Sequence, residues 1–232
     1  METLKLKNNK ILIVAAHPDD EIIGCGGTII KFKEKAQINV LFMSDGVSSR
    51  SNKKKITKKN VNIRRRECLD LFKNLKLKKP VFLNFPDNQM DKIPLLKIVK
   101  KIEKYINEFK PNTIFTHFEN CLNIDHRVTY NAVITACRPI NNSSVKEILS
   151  FEIPSSTDWS LYSQKHFQPN YYIDISKEIK KKLESLKYYK SELKKYPHSR
   201  SLQSIKSLAR VRGVSCGKKF AEGFYLNRYI KE

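Results

Sequence analysis

Residues 11–28, ILIVAAHPDDEIIGCGGT, admit few folds. Residues 11–16 form a short, continuous, β-branched run bounded by turn-forming residues, without amphipathic spacing over a helical length. Such a run predicts a buried parallel strand. His17, Asp19 and Asp20 then emerge at its carboxyl end, the edge of an open α/β sheet where ligands bind. Pro18 fixes its own φ and has no N–H, so the turn holding the imidazole and two carboxylates is stiff.

His17 and Asp20 stand three apart, so in a tight turn or a first helical turn their side chains converge while Asp19 points elsewhere. One imidazole and one carboxylate make two ligands of a three-ligand zinc site whose fourth position is open to water. His126, in NIDHRVTYNAV just beyond a predicted strand at Thr113–His117, is the best third ligand. The competing reading of HPDDE is an acidic helix N-terminus favoured by the helix dipole. It leaves His17 and the later Asp125–His126 pair without a role.

AHPDDE followed by GCGGT, with the later NIDH, resembles the PIG-L/LmbE family of zinc-dependent N-acetylglucosaminyl de-N-acetylases. Shorter fragments agree: SDG at 44–46, the R-x-x-E of Arg64 and Glu67, FPD at 85–87, PHSRS at 197–201 and AEGF at 221–224. The resemblance implies a Rossmann-like fold, one zinc ion held by His17, Asp20 and His126, and Asp19 as general base. It also makes Arg64 the substrate-facing arginine. Some relatives carry a general-acid histidine where this chain has Asn123, which leaves Asn123 to substrate binding and proton donation to Asp19 or His198. Relatives are often homo-oligomers, so self-association is implied as well.

At 232 residues and 40% hydrophobic content the chain can bury one substantial core, and residues 1–232 are expected to form a single domain. No stretch approaches the ~18 apolar residues of a membrane span. The start lacks a signal-peptide cleavage region, so the expected location is cytoplasmic. Five scattered cysteines without a CxxC pair argue against a disulfide framework and a thiolate zinc site. Cys25, between two glycines, reads as a packing residue.

A net charge of +22 admits three readings: a nucleic-acid binder, a protein for anionic substrates such as nucleotide- or phosphate-linked sugars, or a lysine-rich surface. The lysines recur in nearly every predicted helix and line no single face, and no aromatic-interleaved RNA motif appears, which disfavours nucleic acid.

Along the chain, helices are expected at 28–35, 60–75, 94–109, 176–195 and 201–212, and strands at 38–43, 81–85, 113–117, 148–153, 171–175 and 220–229. The polar, lysine-rich residues 44–60 read as a long loop able to act as a lid. Asp45 and Asp87 follow the second and third strands at their carboxyl ends, within reach of substrate hydroxyls. Asp125 is suited to orient a ligand or Asp19 by hydrogen bonding. His117 reads as structural. The alternation of strands and helices through His126 predicts an α/β, Rossmann-like, mostly parallel sheet flanked by helices. The changed pattern beyond Pro139 predicts a C-terminal α+β extension over the active-site mouth, with His198, Arg200 and Glu222 its notable polar groups.

The chemistry expected is metal-assisted amide hydrolysis. Zinc lowers the pKa of its water toward ~7 and polarises the N-acetyl carbonyl. Asp19 takes the water's proton and returns it to the departing amine of an amino-sugar conjugate, with His198 as a candidate oxyanion donor. A dinucleotide-binding module is the rival, but GCGG lacks the GxGxxG spacing and the acidic turn repels a pyrophosphate. A basic nucleic-acid-binding protein leaves HPDDE idle.

Overall fold

A computed structural model describes residues 9–51, 53–140, 143–161 and 166–231. Its centre is β1 (Asn9–Ala15), whose alternate residues feed two cores. Ile11, Ile13 and Ala15 enter the cluster on one face of the sheet, and Leu12 and Val14 the cluster on the other. That double burial is why the strand is apolar throughout.

Around it run β2 (Ala36–Ser44), β3 (Val81–Phe85), β4 (Thr113–His117), β5 (Glu147–Phe151), β6 (Tyr171–Asp174) and β7 (Ala221–Tyr229). The sheet order is β3-β2-β1-β4-β5-β7-β6, with β1 to β5 parallel. β7 runs antiparallel between β5 and β6. The strands of the expected C-terminal α+β extension therefore join the main sheet at the β5 edge. The order reverses between β1 and β4, and side chains leaving the carboxyl ends of those two strands face one crevice.

The helices are α1 (Asp20–Phe32), α2 (Lys54–Asn74), α3 (Leu95–Phe109), α4 (Ile124–Ala136), α5 (Ile179–Leu186) and α6 (Leu202–Val214). Among the described residues, no helix is long and apolar enough to cross a membrane.

Three expected elements are corrected. α1 begins at Asp20, eight residues earlier than its glycines suggested, and is broken at Cys25 (φ −141°, ψ 27°). Glu222 of β7 repairs the break: its carboxylate accepts from Gly27 N and Thr28 N at 2.7 Å each and from Thr28 Oγ1 at 2.6 Å. It thereby caps the second half as an N-cap would, and Lys182 Nζ at 2.6 Å balances its charge. A Cβ on Gly27 would stand 2.6 Å from Ile175 Cγ2, so the glycines serve close packing and not a phosphate loop.

The expected lid is shorter than predicted, because α2 starts at Lys54 after a 3-10 turn at Ser48–Arg50. Clustered lysines at a helix N-terminus are locally unfavourable, but burial of Cys68, Leu71 and Phe72 holds the helix from its other end. The long C-terminal helix is also cut back. α5 stops at Leu186, and residues 187–200 turn inward, burying Tyr189 and Glu192.

Candidate metal centre

His17 leaves the end of β1, and its backbone N–H donates to Asp20 Oδ2 at 2.9 Å, which closes the turn. Asp19 is held at φ +133°, a conformation rare for a residue with a Cβ. Glu21 locks it there. Its Oε2 accepts from Asp19 N at 2.9 Å and its Oε1 from Tyr189 OH at 2.6 Å. Burial raises Glu21 to about 8, against the hydrogen bonds it accepts. Gly46 (φ +71°) completes the turn's surroundings, since a Cβ there would sit 2.8 Å from His17 Cβ.

His126 arrives from the first turn of α4, which Asn123 caps by accepting from Asp125 N at 2.8 Å. Its Nε2 lies 3.4 Å from Asp20 Oδ2, and His17 Nδ1 lies 3.3 Å from the same oxygen. Tetrahedral zinc ligands at ~2.0–2.1 Å stand ~3.3 Å apart, so these separations are those of neighbouring ligands on one ion. Asp20 Oδ1 and both ring nitrogens of His126 are buried without a hydrogen-bond partner among the described residues. Unpaired buried polar atoms are costly, and a cation among them removes that cost. The three residues fit a divalent metal.

Asp125 orients His17. Its Oδ2 lies 3.1 Å from His17 Nε2 and accepts from Asn88 N at 2.7 Å, while Oδ1 accepts from Met90 N at 3.1 Å. An ionised carboxylate only accepts, so Nε2 carries the proton and Nδ1 is left facing Asp20. Asp87, fixed by Ser49 N and Oγ at 2.9 and 2.6 Å, adds a second carboxylate 3.4 Å from Nε2.

Burial lowers the His17 pKa, but Asp125, Asp20 and Asp87 outweigh it and raise it to about 10. So anionic a cluster favours a cation. Burial raises Asp20 in turn, and the His126 and His117 imidazoles overcome this to hold it well below the carboxylate range.

One other group, His117, Cys121 and His126, is a poorer ligand set. His117 Nε2 already accepts from Ala16 N at 2.8 Å, and its ring stacks on His126 at 3.9 Å, which makes His117 the structural residue expected. Burial raises the nearby Cys121 thiol to about 12, and its Sγ already lies 3.1 Å from Thr157 Oγ1. Cys25, fully buried, is likewise a packing residue.

Asp19 does not join the ligand group. Its Oδ2 receives Arg200 Nη1 at 3.3 Å, with Arg64 Nη1 at 3.9 Å. Burial, then Asp20, raise it to about 7 against those two arginines. That is the range of a working general base.

Several expected site residues have other duties. Arg64 lies in the middle of α2, 1% exposed, and not at a helix start. It donates to Pro18 O at 2.8 Å and pairs with Glu192. The α2 N-terminal amides therefore cannot join it in holding an anion, and its guanidinium supports the turn from behind. Asp45 spends Oδ1 on Val47 N and Ser48 N at 2.9 and 2.7 Å, shaping the loop. His198 packs on Trp159 at 5.2 Å and accepts from Arg200 N through Nδ1 at 3.0 Å. Arg200, two residues on, is the side chain that reaches Asp19.

Glu192 has no signal in the sequence, since it lies among lysines near the end of the long helix expected at 176–195. It gathers Arg50 (2.8 and 3.1 Å), Arg64 and Arg200 (3.5 Å) around one carboxylate.

The PIG-L family, described as GlcNAc-PI de-N-acetylase, matches residues 12–137, more than half of the chain. The chain belongs to this family. A curated relative, the uncharacterized deacetylase YaiS of Escherichia coli K12, is 27% identical over 192 residues, covering 80% of this chain and 92% of that protein.

Among solved structures, the N,N'-diacetylchitobiose deacetylase from Pyrococcus horikoshii superposes with a TM-score of 0.75 at 23% identity, over 95% of this chain and 84% of that one. GalB, the 4-carboxy-2-hydroxymuconate hydratase from Pseudomonas putida KT2440, gives 0.72 at 18% identity, over 97% and 98%. The fold thus hosts more than one reaction, and family membership decides the class here. This PIG-L protein is a deacetylase, a hydrolase of an amide bond, from a family whose deacetylases depend on a metal.

Proposed function

We propose that this chain removes the N-acetyl group of an N-acetylglucosamine-type conjugate, with one zinc ion held by His17, Asp20 and His126. The observation that carries the reading is the set of three buried donors, spaced as ligands of one ion, beside a carboxylate raised to about 7 that is not one of them. Bound zinc would supply Lewis acidity toward the acyl oxygen and acidify water at the open position.

Asp19 accepts the proton of the attacking water and later gives it to the departing amine, since Asn123 carries no titratable proton. Its unusual backbone, held by Glu21, aims the carboxylate away from the ligand group. Asp125 keeps His17 in the tautomer and orientation that present Nδ1. Arg200 Nη1, anchored beside Asp19, is the donor we assign to charge developing on the acyl oxygen.

The test is acetate release from N-acetylglucosamine and its glycosides by zinc-loaded protein, with metal content measured alongside. About one zinc per chain and stoichiometric acetate and amine are expected. His126→Ala should lose both. Full zinc occupancy without acetate from any N-acetylated sugar would overturn the reading.

A further inference from the structure

The backbone of Asp19 is pinned at both ends. Its carbonyl accepts from Ile22 N and Ile23 N at 3.1 and 2.9 Å, the bonds that start α1. Its N–H donates to Glu21 Oε2 at 2.9 Å. Between those anchors φ is +133°, a conformation that persists in a residue with a Cβ only where the surroundings impose it. If the N–H loses its acceptor, φ can relax toward the ordinary region, and the Cα–Cβ bond that aims the carboxylate swings with it.

Glu21 does not supply this acceptor unaided. It is fully buried in the first turn of α1, where an unpaired carboxyl oxygen is costly. Tyr189, 168 residues along the chain, satisfies the second oxygen, its hydroxyl donating to Oε1 at 2.6 Å. The ring is 1% exposed and belongs to the same core cluster as Cys68, Leu71 and Phe72, so packing fixes where the hydroxyl points. Arg64 lies over the same ring at 5.8 Å and donates to Pro18 O at 2.8 Å. One buried side chain thus supports residues 18 and 19 by two routes, its hydroxyl through Glu21 and its ring through Arg64. Arg200 and Arg64 meet the Asp19 carboxylate itself, whereas Tyr189 and Glu21 meet its backbone. Tyr189 stands outside residues 12–137, the part of the chain matched to the PIG-L family.

We infer that Tyr189 is a positioning residue for the proposed base: through Glu21 it holds the Asp19 backbone, and with it the direction of the carboxylate. The inference rests on the proposed deacetylation for what Asp19 does with a proton. Both Tyr189 and Glu21 are shut off from solvent and neither belongs to the three-donor metal group, so their effect falls on kcat and leaves KM and metal affinity alone.

The experiment is a double-mutant cycle on the zinc-loaded chain with Tyr189→Phe, Glu21→Met and the pair, plus Glu21→Gln as the conservative variant. The readouts are kcat, KM and zinc affinity by chelator competition, and melting temperature checks that each variant is folded. Tyr189→Phe keeps the ring and should lower kcat by about tenfold, the effect of one hydrogen bond, with KM and zinc affinity within about twofold of wild type. Glu21→Met should lower kcat by about 10²-fold, the effect of displacing a reacting group by about 1 Å. Adding Tyr189→Phe to Glu21→Met should change nothing further, because Tyr189 acts through Glu21. Glu21→Gln keeps an oxygen for Asp19 N and turns its amide to the Tyr189 hydroxyl, which can accept, so it should recover about tenfold over Glu21→Met. A folded Tyr189→Phe with unchanged kcat, zinc affinity or KM worsening in step with kcat, or additive effects in the pair overturns the assignment.

Should the wild type release no acetate, the deacetylation reading fails and the backbone is read directly. Exchange of the Asp19 amide, followed by NMR, should be about tenfold faster in Tyr189→Phe than in wild type, with exchange at Ile13 in β1 unchanged. Equal exchange at Asp19 in the two proteins overturns the positioning role.

Discussion

Glu192→Gln removes one negative charge from the point where three arginines meet and nearly preserves shape. Glu192 is 5% exposed, and Arg50, Arg64 and Arg200 face it, with Glu67 and Asp19 as the neighbouring acids. Burial raises its pKa, but the Arg50 hydrogen bonds and the charges of Arg64, Arg50 and Arg200 bring it from the usual 4.5 to about 2. That depression corresponds to on the order of 3 kcal/mol of stability. Breaking a buried pair costs ~3–5 kcal/mol because a cation is left uncompensated, and Arg64 is that cation here.

For a chain of this size, Glu192→Gln should lower the melting temperature by about 6–12 °C at pH 7. The depressed carboxylate contributes fully above its unfolded pKa and loses that contribution as pH falls through its folded pKa. The gap between wild type and variant should therefore hold from pH 8 to pH 5. It should narrow below about pH 4.5, as far down as the wild type stays folded. Urea unfolding of both proteins across that range is the assay. A loss under about 1 kcal/mol at pH 7 would refute the reasoning, and so would a gap that widens in acid.

Asp19→Asn should cut kcat by about 10²–10⁴-fold while zinc content stays near the wild-type value, because the residue moves a proton without holding the metal. Loss of zinc in step with activity would make it a ligand. Asp125→Asn should weaken zinc affinity by about 10–100-fold through misorientation of His17, read by competition with a chelator; unchanged affinity would remove its orienting role. Gly27→Ala should cost about 1–3 kcal/mol in urea unfolding, since the new Cβ meets Ile175 at 2.6 Å. A neutral result there would mean the break in α1 relaxes.

What the sequence determines by itself is local. His17, Pro18, Asp19 and Asp20 occupy one turn, and their spacing alone separates the converging pair, His17 and Asp20, from Asp19, because residues three apart converge and adjacent ones diverge. Asp125 and His126 are legible for the same reason, since a first helical turn is short-range geometry, whereas the capping role of Asn123 emerges only in the structure. The double-sided burial of β1 is written in its unbroken apolar run.

The arrangement that joins these pieces comes from strands paired across about a hundred residues, as in the register of Ile11 with Thr113. No spacing rule reaches across such separations. Glu222 caps a broken α1 only because β7 inserts between β5 and β6. Arg64 is drawn inside only because Glu192 and Pro18 O meet it there. Arg200, not His198, stands beside Asp19 because Pro154 and Ser155 hold its guanidinium. Charged side chains in lysine-rich stretches look solvated along the chain. Burial and pairing are properties of the packed molecule, so only the tertiary structure tells the supporting arginines and glutamates from the surface ones.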